Sequence, residues 1–255
     1  MATRKKPTGH IIYQGPSLID GQPIFVVALS GSKNTKTGSM VQTYIMRSDI
    51  DPRDASKTGA DFSICGGCPH RGHATSDPAK KQATERTCYV LLGQGPRLVF
   101  QGFKAGAYPV SDDLENLGSG RMIRLGSYGD PAAVPSHIWS RLLDQAEGHT
   151  AYSHQSDQTG ADFRSDMFMA SADKLSDAMA YWSANIRTFR VISNVNETQP
   201  NEILCPASEE AGRLTKCHAC GLCGGSDVHA KSIAIVAHGA GKNHFTQKVQ
   251  QSINA

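Results

Sequence analysis

Arg121-Met122-Ile123-Arg124-Leu125-Gly126 is the stretch that decides the fold. It is a mainly apolar run preceded by glycine, which is typical of a buried strand, and it leads into the turn-forming residues Ser127-Tyr128-Gly129-Asp130-Pro131. An amphipathic helix is predicted next, over residues 136–147. A strand followed by a helix is the beginning of a crossover connection, so the pattern predicts parallel strands.

The alternation of strands and helices continues toward the carboxyl terminus. Strands are predicted near residues 150–153, 167–170, 188–192 and 233–237, with a second helix over 174–184. We therefore expect an α/β fold in the form of a partial or distorted β/α barrel with parallel strands. An open three-layer α/β sheet is the alternative.

The amino-terminal part of the chain has a different pattern. Apolar bursts at 11–13, 23–29 and 40–46 are separated by polar, glycine-containing turns, which predicts a small antiparallel β layer. Two domains follow from this pattern, a β meander over 1–50 and a barrel-like domain over 51–255, unless the whole chain is one domain. The polar residues 242–255 predict a terminal helix.

Composition excludes some classes of protein. The chain has 255 residues, 39% of them hydrophobic and 19% charged, and no apolar run approaches the ~18 residues of a membrane span. The basic amino terminus lacks the apolar stretch of a secretory signal, so we expect a cytosolic protein. The net charge of +3 is too small to indicate nucleic-acid binding by itself, and the sequence leaves the oligomeric state open.

The late cysteine group is the strongest functional signal. Cys205 precedes two overlapping C-x-x-C steps formed by Cys217, Cys220 and Cys223. This spacing lets four thiolates converge on one centre, which favours structural zinc, although a [4Fe–4S] cluster takes the same donors. Three histidines are possible substitutes for one cysteine: His218, His229 and His238.

The early cysteine group is incomplete. Cys65, Cys68 and Cys88 lie in a polar segment, residues 54–88, that we expect to be a loop held by metal. Either His70 or His73 completes a second zinc site, or the fourth position stays open, as in reactive metal centres.

Four residues at or near predicted strand ends are candidates for catalysis. Asp130 lies at the carboxyl end of a strand, where barrel enzymes place working residues, although Asp-Pro also starts turns. His154 can act as acid, base or ligand, or be structural. Asp173 directly precedes a helix and is favoured as its N-cap. Arg190 lies in an apolar strand and is expected to meet a carboxylate or an anionic ligand.

Four stretches resemble a family of small cysteine-rich bacteriophage proteins: 64–68, 124–131, 152–155 and 205–223. At a distance the chain is also similar to tRNA-guanine and phage DNA-guanine transglycosylases, which are β/α barrels with a late zinc site. That resemblance implies base exchange on phage DNA, with 7-deazaguanine inserted. Asp130 would be the nucleophile and Asp173 or His154 would handle the proton. Three residues would bind the substrate: Arg190, Tyr128 and Gln155.

Two other functions stay open. Three early cysteines and Tyr89 beside Cys88 are similar to radical S-adenosylmethionine enzymes, which implies a [4Fe–4S] cluster with S-adenosylmethionine. A non-catalytic, zinc-stapled module that binds nucleic acid is the remaining alternative.

Overall fold

The computed structural model describes residues 8–31, 37–238 and 242–245. The strands of this part of the chain are β1 (Gly9–Pro16), β2 (Pro23–Leu29), β3 (Val41–Arg47), β4 (Met122–Tyr128), β5 (Gly148–Thr150), β6 (Tyr152–Ser153), β7 (Met169–Ala172), β8 (Thr188–Ile192), β9 (Glu202–Leu204) and β10 (Ser232–Val236). Its α-helices are α1 (Pro52–Thr58), α2 (Phe62–Cys65), α3 (Gly95–Lys104), α4 (Leu114–Gly118), α5 (Ser136–Leu143), α6 (Leu175–Ser183) and α7 (Cys217–Cys220).

The first sheet has the strand order β1-β2-β3-β4-β5. Its first three strands pair antiparallel, as the amino-terminal pattern predicts, whereas β3–β4 and β4–β5 pair parallel. The meander is therefore part of a mixed sheet that continues into the later strands, not a separate layer.

The second sheet has the order β6-β7-β8-β10-β9, and all its pairs are parallel. Mixed α/β content with two parallel-rich sheets confirms the predicted α/β class. Only Ala151 separates β5 from β6. Its N–H donates to the Cys223 carbonyl (2.9 Å), and its carbonyl accepts from the Met169 N–H (3.1 Å), so the chain passes between the sheets at this residue.

The core forms where the apolar runs predict it. Strand β2 is buried on both faces, and the Trp139 side chain of α5 is fully buried. The Trp139 indole N–H donates to the Pro131 carbonyl (2.9 Å). Because a buried indole N–H needs an acceptor, this bond fixes α5 against the turn that follows β4.

Several elements differ from the sequence-based expectation. The segment 54–88 contains α2 and most of α1, and neither α3 nor β9 was predicted. Residues 242–245 are helical, and the rest of the predicted terminal helix lies outside the described residues. Among the described helices, none has both the length and the apolar composition needed to cross a bilayer.

The carboxyl ends of the parallel strands carry most of the candidate residues. Asp130 follows β4, His154 follows β6, Asp173 follows β7 and Cys205 follows β9. In parallel α/β sheets this edge is where ligands bind. The fold thus gathers residues that are distant in sequence at one edge.

Breaking the buried ion pair beneath the second sheet should destabilise the protein. Arg190 donates to both carboxylate oxygens of Glu202 (2.8 and 2.6 Å), and the two side chains are 6% and 0% exposed. Glu202→Gln leaves a buried guanidinium without its counter-charge, so we expect the free energy of unfolding in urea to fall by about 3–5 kcal/mol. The matched control is Glu209→Gln, at an exposed pair with Arg213, with a change within about 0.5 kcal/mol. Equal effects of the two variants would contradict this account.

Candidate metal centre

A cavity of about 470 Å³ opens at this edge of the molecule. Its volume is in the range of small-molecule sites. The three early thiols, Cys65, Cys68 and Cys88, all line it, as do Cys205 and Cys217 of the late group. Both cysteine groups therefore contribute to the wall of one cavity.

His70, His154 and Asp173 meet on the wall of this cavity. The Asp173 Oδ1 lies 3.0 Å from the His70 Nε2 and 3.4 Å from the His154 Nε2. The three ligand atoms all lie within 4.8 Å of one another, and in the part of the chain that the structure describes no other set of His, Cys, Asp or Glu meets this criterion. Three residues predicted separately from the sequence thus form one cluster.

Different elements position each member of the triad. His70 belongs to a 3₁₀ turn, and its Nδ1 lies 2.8 Å from the Thr87 hydroxyl, which orients the ring. His154 is fixed by its own backbone N–H, which donates to the Asp130 Oδ2 (2.8 Å).

Asp173 is not the helix cap that the sequence favours. The N-cap position of α6 is Lys174, whose backbone N–H donates to the Asp177 Oδ2 (3.2 Å). The Asp177 carboxylate, inside the helix, accepts this backbone N–H. The Asp173 carboxylate therefore does not cap the helix and faces the histidines.

The charges of the triad are coupled. Burial works to raise the pKa of Asp173, but hydrogen bonds from His154 and His70 outweigh it and hold that pKa below its usual range. Burial likewise opposes protonation of His154, yet Cys68 and Asp173 beside the ring raise its pKa well above the ordinary value.

Asp130 has a structural environment. It is 7% exposed; its Oδ1 accepts from the Ala132 N–H (3.0 Å), and its Oδ2 accepts from the His154 N–H and the Gln155 Nε2 (2.8 and 3.2 Å). Burial raises the pKa of this carboxyl. Both carboxylate oxygens accept hydrogen bonds from within the protein. These contacts agree with the alternative prediction that Asp130 and Pro131 form a turn.

Gln155 joins the early cysteine loop to the strand ends. Besides contacting Asp130, its Nε2 donates to the Cys65 carbonyl (2.8 Å), and its Oε1 accepts from the Gly67 N–H (3.3 Å). Gly66 has a φ of +49°, and any β-carbon there would collide with the Gln155 amide. Gln155, predicted to bind substrate, is 1% exposed and tethers this loop.

Arg190 meets a carboxylate, which was one of its two expected partners. Besides Glu202, its NH2 donates to the Glu197 carbonyl (2.8 Å). The guanidinium is buried in these contacts and lies away from the cavity, whereas Tyr128, also predicted to bind substrate, lines the cavity.

The early thiols are close enough to influence one another. Burial raises the pKa of Cys65 well above its ordinary value, and Asp61, Cys68 and Cys88 add to the effect; burial likewise raises the pKa of Cys88. His73 is exposed and pairs with Glu85 (3.7 Å), and His70 faces Asp173.

The late group lies on a loop that Arg187 holds in place. The Arg187 guanidinium donates to three carbonyls, those of Gly225, Leu222 and Lys231 (2.7, 2.8 and 2.7 Å). The pKa of Cys223 is raised to about 12, mainly by burial and also by the other three cysteines, against a hydrogen bond from Tyr152 that lowers it. The four late cysteines are thus neighbours.

Neither cysteine group has the spacing of a single-ion site. Zinc with bonds of about 2.3 Å in a tetrahedron requires sulfurs about 3.8 Å apart, and no three of these described sulfurs lie within 4.8 Å of one another. Of the histidines offered as substitutes, His218 packs against Gly38, His229 is exposed, and His238 stacks on Tyr89 and lines the same cavity as Cys205 and Cys217. Zinc at the late group stays a prediction.

Among the cavity-wall residues that sequence reasoning missed are Thr87 and Arg124. Thr87 carried no distinguishing signal. Arg124 did carry a signal, because it is a charged residue in an apolar strand. The same signal identified Arg190 as a candidate. The Arg124 guanidinium donates to the Tyr89 hydroxyl (2.5 Å) and lies 5.6 Å from the centre of the Tyr152 ring.

Comparisons of the chain with protein-family models, curated proteins and solved structures find no match. The functional argument therefore depends on the site itself.

Asp130→Asn should lower stability. The amide nitrogen of asparagine cannot accept the hydrogen bonds that one carboxylate oxygen now accepts, so we expect the free energy of unfolding to fall by about 1–3 kcal/mol. Urea denaturation followed by circular dichroism measures this, with exposed Asp144→Asn as the control. Unchanged stability would show that the carboxylate has no structural role and would favour its predicted role as a nucleophile.

Proposed function

We propose that this protein is a metal-dependent enzyme whose reaction takes place in the cavity, with a catalytic divalent ion held by His70, His154 and Asp173. The observation that carries the proposal is the approach of two imidazole nitrogens and one carboxylate oxygen within 4.8 Å of one another on the cavity wall.

The donor set fits a catalytic ion better than a structural one. Two histidines and one carboxylate on one side of an ion leave coordination positions for water or substrate, and first-row transition metals accept this set. The contact between Thr87 and the outer nitrogen of His70 is the kind of second interaction that fixes a ligating ring. Such an ion would supply Lewis-acid chemistry.

The chain's own contribution is a rigid frame. His154 and Asp173 follow adjacent parallel strands, β6 and β7, and Asp130 holds the backbone of His154. Ligands placed on the ends of a packed sheet keep their geometry better than ligands on a free loop. The partial-barrel arrangement belongs to this proposal, with both sheets forming one wall around the cavity.

Base exchange on phage DNA stays a prediction. It requires a free nucleophilic carboxylate, and the hydrogen bonds at Asp130 argue against that residue. Asp173 and His154 remain available on the cavity wall for proton transfer or metal binding. DNA as a partner and the zinc-stapled binding module likewise remain predictions.

Removing one triad ligand should abolish this metal site. Cobalt(II) titration of the wild type should give absorption bands of a nitrogen- and oxygen-ligated ion, distinct from the thiolate charge-transfer bands of a cysteine site. His154→Ala and Asp173→Asn should each lose the former bands, and Thr87→Val should weaken binding by about 10- to 100-fold.

The matched control for these variants is His73→Ala, at an exposed histidine of the same segment. It should bind cobalt like the wild type. Retention of the nitrogen- and oxygen-ligated bands in both His154→Ala and Asp173→Asn would refute the proposed ion.

A second candidate, an iron–sulfur enzyme, is favoured by a separate observation. Cys65, Cys68 and Cys88 all line the cavity, and their sulfurs do not all lie within 4.8 Å of one another. A cubane cluster separates its cysteine ligands further than a single ion does, and three ligands would leave one corner for S-adenosylmethionine or substrate.

Anaerobic purification tests the iron–sulfur candidate. We expect a brown protein containing iron and acid-labile sulfide, and a Cys88→Ser variant that has lost the early cluster but keeps metal at the late group. Cys220→Ser should show the reverse. A colourless wild-type protein that carries zinc alone would exclude this candidate while leaving the triad to its own test.

A further inference from the structure

Arg124 presents a cation to the cavity without an acidic partner. Its guanidinium lines the cavity, and among the described residues it forms no ion pair with a carboxylate. Burial lowers the pKa of Arg124, but the neighbouring phenols of Tyr89 and Tyr152 and thiols of Cys217 and Cys223 raise it above its ordinary value. An arginine keeps its charge in any such surroundings and has five N–H donors in a fixed fork.

Tyr128 adds a second unused donor. Its side chain is 3% exposed and lines the same cavity, yet its hydroxyl has no hydrogen-bond partner within the described chain. A buried hydroxyl without a partner costs about 1–3 kcal/mol. Such a group is expected where a ligand completes the bonding.

One strand holds both donors. Arg124 and Tyr128 are residues of β4, and the strand has an irregular register between them, where Gly126 adopts a φ of +69°. The bulge directs this part of the strand toward the cavity, and residues 126–130 all line it.

An aromatic surface adjoins the guanidinium. Tyr89 is 47% exposed and lines the cavity, and its hydroxyl is bonded to Arg124. The Tyr89 ring stacks on His238 and keeps nearly half of its surface exposed. A partly exposed ring beside an arginine is the combination on which nucleic-acid bases stack, because each has a flat face that tolerates many partners.

We propose that Arg124 and Tyr128 form an anion-binding subsite for the substrate, and that the substrate is a nucleotide-sized molecule with a planar ring that packs on Tyr89. A phosphate and a carboxylate share the required chemistry, since each accepts several hydrogen bonds from a guanidinium and a hydroxyl. The cavity volume of about 470 Å³ suits one such molecule.

This inference names the substrate class of the proposed enzyme, and it rests on the proposed function only for the reaction that follows binding. The competing explanation is that Arg124 is a counter-charge for late-group thiolates. That explanation predicts loss of metal from the late group when Arg124 is replaced, and it assigns nothing to the Tyr128 hydroxyl.

Isothermal titration calorimetry of the full-length protein separates these explanations. The probes are adenosine 5′-monophosphate, adenosine, inorganic phosphate and succinate, each with and without EDTA. We expect the monophosphate to bind in both conditions and to bind more tightly than adenosine or phosphate alone. Succinate binding as tight as the monophosphate would identify a carboxylate site without a ring requirement and overturn the nucleotide assignment.

Variants complete the test. Arg124→Gln should weaken binding of the monophosphate by about 10- to 150-fold, since it removes a charged donor, and Tyr128→Phe by about 2- to 12-fold. Matched controls are Arg121→Gln, whose guanidinium bonds to Ser30 and Ser39 carbonyls, and Tyr13→Phe, whose hydroxyl bonds to Pro16. Both should bind like the wild type.

The outcomes are distinct. No probe binding to the wild type, or unchanged binding in Tyr128→Phe and Arg124→Gln, would overturn the inference. So would loss of metal in Arg124→Gln with normal binding in Tyr128→Phe. If Arg124→Gln does not fold, monophosphate binding by Arg124→Lys and Tyr128→Phe tests the inference instead. Binding in EDTA supports the subsite even where cobalt titration rejects the triad.

Discussion

The hydrogen bonds to the buried carboxylate of Asp130 are the constraint on which the rest of the site depends. They join the turn after β4 to the residues after β6. Through Gln155 they also reach the loop of Cys65. Three segments that are far apart in sequence are thereby fixed at one edge of the sheets. An anion that accepts bonds from several donors can order such a junction where no apolar core is available.

This junction also positions the His70, His154 and Asp173 cluster beside Asp130. The carboxylate holds the backbone of His154, whose ring then faces Asp173 and His70. Asp130 and Asp173, which both follow parallel strands, thus have different surroundings. The Asp130 carboxylate is buried among hydrogen-bond donors, whereas the imidazoles of His70 and His154 face the Asp173 carboxylate.

The sequence allowed much of the fold to be predicted. Apolar runs with period two or with helical spacing located β4, β8, α5 and α6, because those elements bury one face or both. The helix α3 and the short strand β9 were missed. The strand pairing of β10 between β8 and β9 could not be read from local patterns, since it depends on contacts between distant segments.

The site was predictable residue by residue but not as an assembly. His70, His154 and Asp173 were each candidates, yet local reasoning grouped His70 with the cysteines and gave Asp173 to the helix. Only the parallel pairing of β6 with β7 places His154 beside Asp173. Arg124 was not singled out from the strand pattern, because the rest of its strand is apolar and the apolar residues alone predict the strand.

Ala151 links the late cysteine loop to the crossing between the two sheets. The main chain of this residue is bonded on one side to Cys223 and on the other to Met169, and His154 follows three positions later. Any movement of the late loop therefore pulls on the same short backbone segment that carries an imidazole of the triad. A metal bound at the late cysteine group, as the sequence predicts, would be mechanically connected to the alignment of that ring through these peptide groups.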